Sequence, residues 1–184
     1  MLLEQPIMRF EARHKYQGTL AEVEAALLDD RYTDFLLKHH GVLLEAKVLE
    51  KQDDGTRVKR KIRYRPKPVI ESIGPKKVPP ELFAFVEEST YDRNRHELSF
   101  KNTPTSNTIS SMLVNTGVLR LRDVNGICER TMDGEISLKL PFLLKPLALV
   151  GEPLIQREGL KILDGEVPVM NRFLTEVMRP AKTA

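Results

Sequence analysis

The chain has 184 residues, 41% hydrophobic and 30% charged, with a single cysteine and no tryptophan. That length suits one full hydrophobic core, so one domain is expected over 1–184. The lone Cys128 excludes a disulfide framework and a cysteine-based zinc site, and no apolar run approaches the roughly 20 residues of a membrane span.

Glu4, Pro6 and Arg9 interrupt the N-terminus too early for a secretory signal core, so a reducing cytoplasm is the expected setting. The net charge is only +3, but it is unevenly spread: residues 57–77 carry nine Lys/Arg against the single Glu71. Such a segment is either a solvated strand edge, where lysines discourage further pairing, or a face for an anionic partner.

Residues 8–17 alternate without a breaker and predict a first strand, ended by Gly18. Thr19 and Glu22 are spaced as a capping box. Leu20, Val23, Leu27, Phe35, Leu36 and His39 then keep helical spacing, with a break at Asp29–Asp30 and a left-handed C-cap at Gly41. One helix, or two short ones, is expected over 19–40. Residues 42–51 and 57–65 flank Asp53-Asp54-Gly55, a hairpin signal. The stretch 66–80 holds five prolines and a glycine and predicts a long irregular loop or short-helix insertion, equally consistent with a lid over a pocket mouth and with a rigid loop packed on the surface.

A second hairpin is expected from 83–91 and 96–101, and a third from 112–124 and 127–140, turning at Asn125-Gly126. In the last strand Glu129, Thr131, Asp133, Glu135, Ser137 and Lys139 alternate with Cys128, Arg130, Met132, Gly134, Ile136, Leu138 and Leu140. One side therefore faces water and the other a core or cavity. Beyond Pro141 a long helix is predicted over about 152–178. Pro153 lies in its first turn and Pro168 at a kink, with Leu163, Val167, Met170, Leu174 and Val177 as its apolar stripe.

Strand, helical pair, antiparallel strands and long C-terminal helix is an α+β order. Three stretches make it specific: 10–27, where a strand and small turn lead into T-L-A-E-V-E-A-A-L-L; T-G-V-L-R-L at 116–121; and D-G-E-I-S-L-K-L-P at 133–141 followed by G-E-P-L-I at 151–155. In these the chain resembles START-like (SRPBCC) domains, and within them a bacterial family of uncharacterised domains. The resemblance implies a helix-grip fold, a curved sheet of about six or seven antiparallel strands wrapped around the C-terminal helix. It also implies an apolar cavity between them that takes a lipid, fatty acid or polyketide-like molecule. It supplies no catalytic signature, no cofactor and no metal site, so binding, transport or sensing is expected rather than catalysis.

Two arginines interrupt inward apolar faces: Arg60, on the same side as Val58, Ile62 and Tyr64, and Arg130, on the side of Cys128, Met132 and Ile136. A buried guanidinium must meet a carboxylate, a ligand anion or solvent. Glu88 is the expected partner; each arginine is either a polar anchor inside the pocket or a structural ion pair at the rim of the sheet, and Arg60, Tyr64, Glu88, Arg130, Met132 and Met170 are the candidate ligand contacts. Met112 and Met178 are further candidates for an adaptable lining. An acid/base site would draw on Glu87, Glu88, Tyr91, Asp92 and His96, half of which must point outward.

For peripheral contact with an anionic membrane the candidates are Lys59, Lys61, Arg63, Lys76, Lys77, Phe142 and Leu143, the last two opening the greasiest stretch, 141–155. The same basic face is an alternative docking site for an acidic protein. Tyr64 points away from the Lys59–Lys61–Arg63–Arg65 row, which argues against nucleic acid, since bases would find no stacking platform. The sequence leaves the oligomeric state open.

Overall fold

The computed structural model describes residues 7–68, 72–73, 75–77, 80–107, 113–138 and 145–179. The first strand, β1 (Ile7–Lys15), leads into α1 (Leu20–Leu28) and α2 (Asp30–His39). The capping box forms as spaced: the Glu22 amide donates to Thr19 Oγ1 at 3.3 Å, and the Thr19 amide donates to Glu22 Oε2 at 2.8 Å. Asp29 ends α1 in extended backbone and caps α2 by accepting the Arg31 amide at 2.8 Å. Gly41 takes φ +75° after α2, a conformation that a side chain resists.

The remaining strands are β2 (Leu43–Asp53), β3 (Arg57–Pro66), the two-residue β4 (Ser72–Ile73) and β5 (Lys76–Lys77), β6 (Phe85–Asp92), β7 (Glu97–Pro104), β8 (Leu113–Val124) and β9 (Ile127–Leu138). Seven of them form one antiparallel sheet in the order β1-β9-β8-β7-β6-β3-β2, while β4 and β5 pair with each other inside the Pro-rich insertion. The sheet is thus a run of hairpins whose far end, β9, returns to pair with β1.

The C-terminal helix α3 runs Lys145–Phe173, followed by a π-helical turn over Leu174–Met178. It begins earlier than the expected 152. Pro146 occupies its first turn, where a missing amide is harmless, and Pro153 lies in the interior. No helix is long and apolar enough to cross a membrane among the described residues.

Register arranges the inner face, the one toward α3, in rows across six strands. The first row is Val58, Tyr91, Leu98, Leu119, Met132 and Ala12. Apart from the half-buried Ala12 it is buried, and it packs with Val23, Ala26, Leu36, Phe173 and Leu174 of the helices. Each large side chain here contributes about 1.5–3 kcal/mol of burial.

The second row is Arg60, Ser89, Phe100, Gly117, Gly134 and Phe10. Its two glycines come from the T-G-V-L-R-L and D-G-E-I-S-L segments, and both are sterically obligatory. A Cβ on Gly134 would stand 2.2 Å from Phe10 Cζ, and one on Gly117 would stand 2.5 Å from Phe100 Cζ. Each phenyl ring occupies the space that a side chain at the glycine would need.

Candidate functional site

The third row is Ile62, Glu87, Asn102, Asn115, Ile136 and Met8. Its outer members Ile62 and Ile136 are buried, but the middle three are polar, half-buried and on neighbouring strands. Packing gives no reason for them. The carboxamide oxygens Asn102 Oδ1 and Asn115 Oδ1 are buried without a hydrogen-bond partner, as is Arg60 Nε in the second row, while the Ser89 hydroxyl lies against the Glu87 carboxyl. Leaving a buried acceptor unpaired costs about 1–3 kcal/mol. Two unpaired acceptors and one unpaired donor thus lie on one patch of an otherwise well-packed face.

Glu87 is the acid of this patch. Burial pushes its carboxyl above the usual carboxylate range, while the Arg60 charge and the neighbouring Ser89 hydroxyl pull the other way. Beside it, the Tyr64 phenol is raised well above its ordinary value, mainly by burial and next by the charge of Glu87. The Tyr64 ring packs tilted against Phe85, with centroids 5.6 Å apart. Arg60 Nη1 donates to the Leu27 carbonyl at 2.8 Å and Lys51 Nζ to the Leu28 carbonyl at 2.9 Å, so both cations serve the last carbonyls of α1.

The structure separates the two arginines. Arg130 is 4% exposed and spends its donors within the protein. Nη1 donates to Glu166 Oε2 at 2.6 Å, Nη2 to the Leu163 carbonyl at 3.1 Å and to His14 Nδ1 at 3.0 Å. His14 in turn meets Asp164 Oδ1 through Nε2 at 2.9 Å, so the imidazole accepts from Arg130 and donates to Asp164. This network clamps β9 and β1 to α3, and its carboxylate is Glu166, not the expected Glu88. Arg60, with Nε unpaired, is the arginine with hydrogen-bonding capacity left.

Glu88 lies on the outer face, exposed, with Lys61 Nζ 3.8 Å away. On β6 the inward parity belongs to Phe85, Glu87, Ser89 and Tyr91, so the inward carboxylate is the preceding residue. Met132 and Met170 are 7% and 2% exposed and belong to the packed core rather than to the polar patch. Tyr91 and His96 meet through Glu24 of α1, whose Oε2 accepts from Tyr91 Oη at 2.6 Å and contacts His96 Nδ1 at 2.5 Å. That bridge ties α1 to the β6–β7 hairpin. Asp92 pairs with Arg57 at 3.4 Å at the strand end.

On the outer face the basic strand is internally compensated. Register sets Glu50, Lys61, Glu88 and Lys101 side by side on four strands. Lys61 reaches Glu50 at 3.2 Å, Arg63 reaches Glu45 at 3.3 Å, and Arg65 reaches Glu81 at 2.8 Å. A solvent-open groove of about 390 Å³ is lined here by both signs of charge, among them Glu50, Lys61, Glu88 and Lys101, and also by Arg60, Ser89 and Phe100 of the second row. Charges of both signs thus alternate across this part of the outer face. Lys77 is exposed on β5. The side chain of Lys76 and the residues Met112, Phe142 and Leu143 lie outside the described residues. No cluster of three or more metal-ligating side chains occurs among the described residues.

A seven-stranded antiparallel sheet gripping a C-terminal helix, with two short helices after the first strand, is the helix-grip architecture of Bet v 1-like proteins. Solved structures of that fold superpose over nearly the whole chain. An aromatase/cyclase, Zhui of a Streptomyces species, matches with a TM-score of 0.65 at 9% identity, covering 97% of this chain and all of that one. Norcoclaurine synthase of Thalictrum flavum matches at 0.63 and 11% identity, over 95% of this chain and 98% of its own. Ara h 8.0201 matches at 0.56 and 9% identity, over 93% and 99%. At such identities the likeness is one of fold. No family model and no curated protein matches the sequence.

Proposed function

We propose that the protein binds an apolar or amphipathic small molecule between the inner face of the sheet and α3, with Arg60, Tyr64, Glu87, Asn102 and Asn115 as its polar contacts. The observation that carries this is the contrast between rows. The first is apolar and closed by the helices, whereas the third has a polar, half-buried centre with unpaired acceptors. Binding pockets are mostly apolar with a few convergent polar groups, and here the polar groups lie beside Ile62, Ile136, Phe10 and Phe100. A fold neighbour adds support, since norcoclaurine synthase of Thalictrum flavum has been solved in complex with dopamine and hydroxybenzaldehyde. Lipids, fatty acids and polyketide-like molecules are all candidate ligands.

Native mass spectrometry of the protein purified from its host, followed by extraction and identification of what it carries, tests this directly. A co-purifying apolar molecule is the expected result. An empty protein that gains no thermal stability from a panel of apolar ligands would overturn the proposal and shift weight to a protein-interaction role.

Catalysis on the bound molecule is a second reading, favoured by one observation. Glu87 is a half-buried acid held toward its protonated form next to Arg60 and Tyr64, the kind of group that serves as a general acid. Turnover of a bound molecule by the wild type and not by Glu87→Gln would establish it, and equal turnover by both would remove Glu87 from the chemistry.

A further inference from the structure

The polar patch is specific about charge. Asn102 Oδ1 and Asn115 Oδ1 are acceptors that lack a donor, and Glu87 stands directly opposite Asn102 in register. A ligand that satisfies this row must bring O–H or N–H groups. A carboxylate or phosphate brings only acceptors, and it would meet Glu87 and the unpaired carboxamide oxygens. An ammonium brings donors but comes up against the Arg60 guanidinium, one row away on the adjacent strand, where Arg60 pairs with Ser89 and Ile62 with Glu87. An anion that turns to Arg60 stays near Glu87 and leaves both carboxamide oxygens unpaired, and an ammonium that turns to Glu87 stays near Arg60; with the two opposite charges already neighbours, a ligand of either sign adds an uncompensated charge to the patch. A neutral hydroxyl faces neither penalty. The row also has a spacing: Glu87, Asn102 and Asn115 lie on three successive strands, roughly 4.8 Å apart from one to the next.

Resting on the small-molecule proposal above, we infer that the patch selects a neutral apolar molecule carrying two or more hydroxyl groups roughly 5 Å apart, as meta-dihydroxy aromatics do, over fatty acids and other charged amphiphiles. The hydroxyls donate to Asn102 Oδ1 and Asn115 Oδ1. Glu87 takes part in either protonation state, as acceptor when ionised and as donor to a hydroxyl oxygen when neutral. The apolar body of the ligand lies over Phe10 and Phe100, whose rings cover Gly134 and Gly117 in the adjoining row.

The test uses three probes with the same apolar tail: pentylresorcinol, para-pentylbenzoic acid and para-pentylbenzylamine. Each competes against the neutral fluorophore N-phenylnaphthylamine on the full-length protein. Pentylresorcinol is expected to displace the fluorophore with an affinity roughly tenfold or more above either charged probe, the scale of two net hydrogen bonds. In the double variant Asn102→Leu/Asn115→Leu that advantage is expected to vanish while the fluorophore still binds.

Equal or tighter binding of the acid or the amine to the wild type would overturn the inference and leave the small-molecule proposal standing. So would an undiminished resorcinol preference in the double variant. Failure of the wild type to bind the fluorophore at all would remove the proposal and the inference together. The wild-type comparison needs no variant, so poor folding of the double variant does not protect the inference.

Discussion

Arg130→Met leaves the Glu166 carboxylate, whose side chain is 24% exposed, without its cation. The Glu166 carboxylate loses a 2.6 Å bond, the Leu163 carbonyl and His14 Nδ1 each lose a donor, and the Arg130 side chain is only 5% exposed. Breaking one side of a buried pair typically costs about 3–5 kcal/mol. At roughly 2–4 °C per kcal/mol for a chain of this size, the melting temperature is expected to fall by roughly 6–20 °C. The double variant Arg130→Met/Glu166→Leu removes both charges, and a well-packed apolar replacement of a buried pair is close to neutral. Most of the lost stability is therefore expected to return.

Urea denaturation of the wild type, both single variants and the double variant closes the cycle. A loss under about 0.5 kcal/mol for Arg130→Met, the range of ordinary surface changes, would refute the assignment of Arg130 as a structural clamp. So would a double variant no more stable than the single. Arg60→Met is the contrast. It is expected to alter ligand binding more than stability, because only one Arg60 hydrogen bond, to the Leu27 carbonyl, is lost.

The remaining expectations concern the rows and pH. Gly134→Ala forces the Phe10 ring off the sheet and is expected to destabilise by about 1–3 kcal/mol or more, with Phe10→Leu recovering part of it. Gly159→Ala, with open space around the new methyl inside α3, is expected to stabilise by about 0.5–1 kcal/mol in the same melts. The bidentate Arg179 contact holds the Glu22 carboxyl down to about 2 from the ordinary 4.5. Its stabilisation is present above the ordinary value and lost as pH falls toward 2, so wild type and Glu22→Gln should differ at pH 5 and converge near pH 2. Glu87 has the opposite sign. Its carboxyl is raised by burial, so its ionisation opposes folding as pH rises, and Glu87→Gln is expected to stabilise more at pH 8 than at pH 4 in urea titrations.

Much of the architecture was legible because it is written in local chemistry. Thr19 with Glu22, Asp29, Gly41, Asp53-Asp54-Gly55 and Asn125-Gly126 each fix a helix end or a turn within a few residues, and alternation in 127–138 fixed which side of β9 is buried. The site was legible only in part. In F-V-E-E-S-T-Y two adjacent glutamates share apolar neighbours, and the choice of Glu88 put the wrong one inside. The parity of Phe85 and Tyr91, the two largest side chains of the strand, points to Glu87.

Glu166 was missed although it sits three residues after Leu163 and four before Met170, on the edge of the apolar stripe of α3. Asn102 and Asn115 were passed over because asparagine in a strand carries no pattern of its own. Their role emerges only when register sets them beside each other and beside Glu87. The charge compensation of β3 has the same origin, since Glu45 and Glu50 come from β2 and Glu88 from β6.

The central claim is that a small molecule lies on the inner face of the sheet and not in the charged groove outside. Backbone amide NMR during titration with N-phenylnaphthylamine tests this most directly. Shifts are expected to cluster at Tyr64, Glu87, Asn102 and Asn115 and along the facing length of α3. Shifts confined to Glu50, Lys61, Glu88 and Lys101, or a spectrum that does not change, would contradict it.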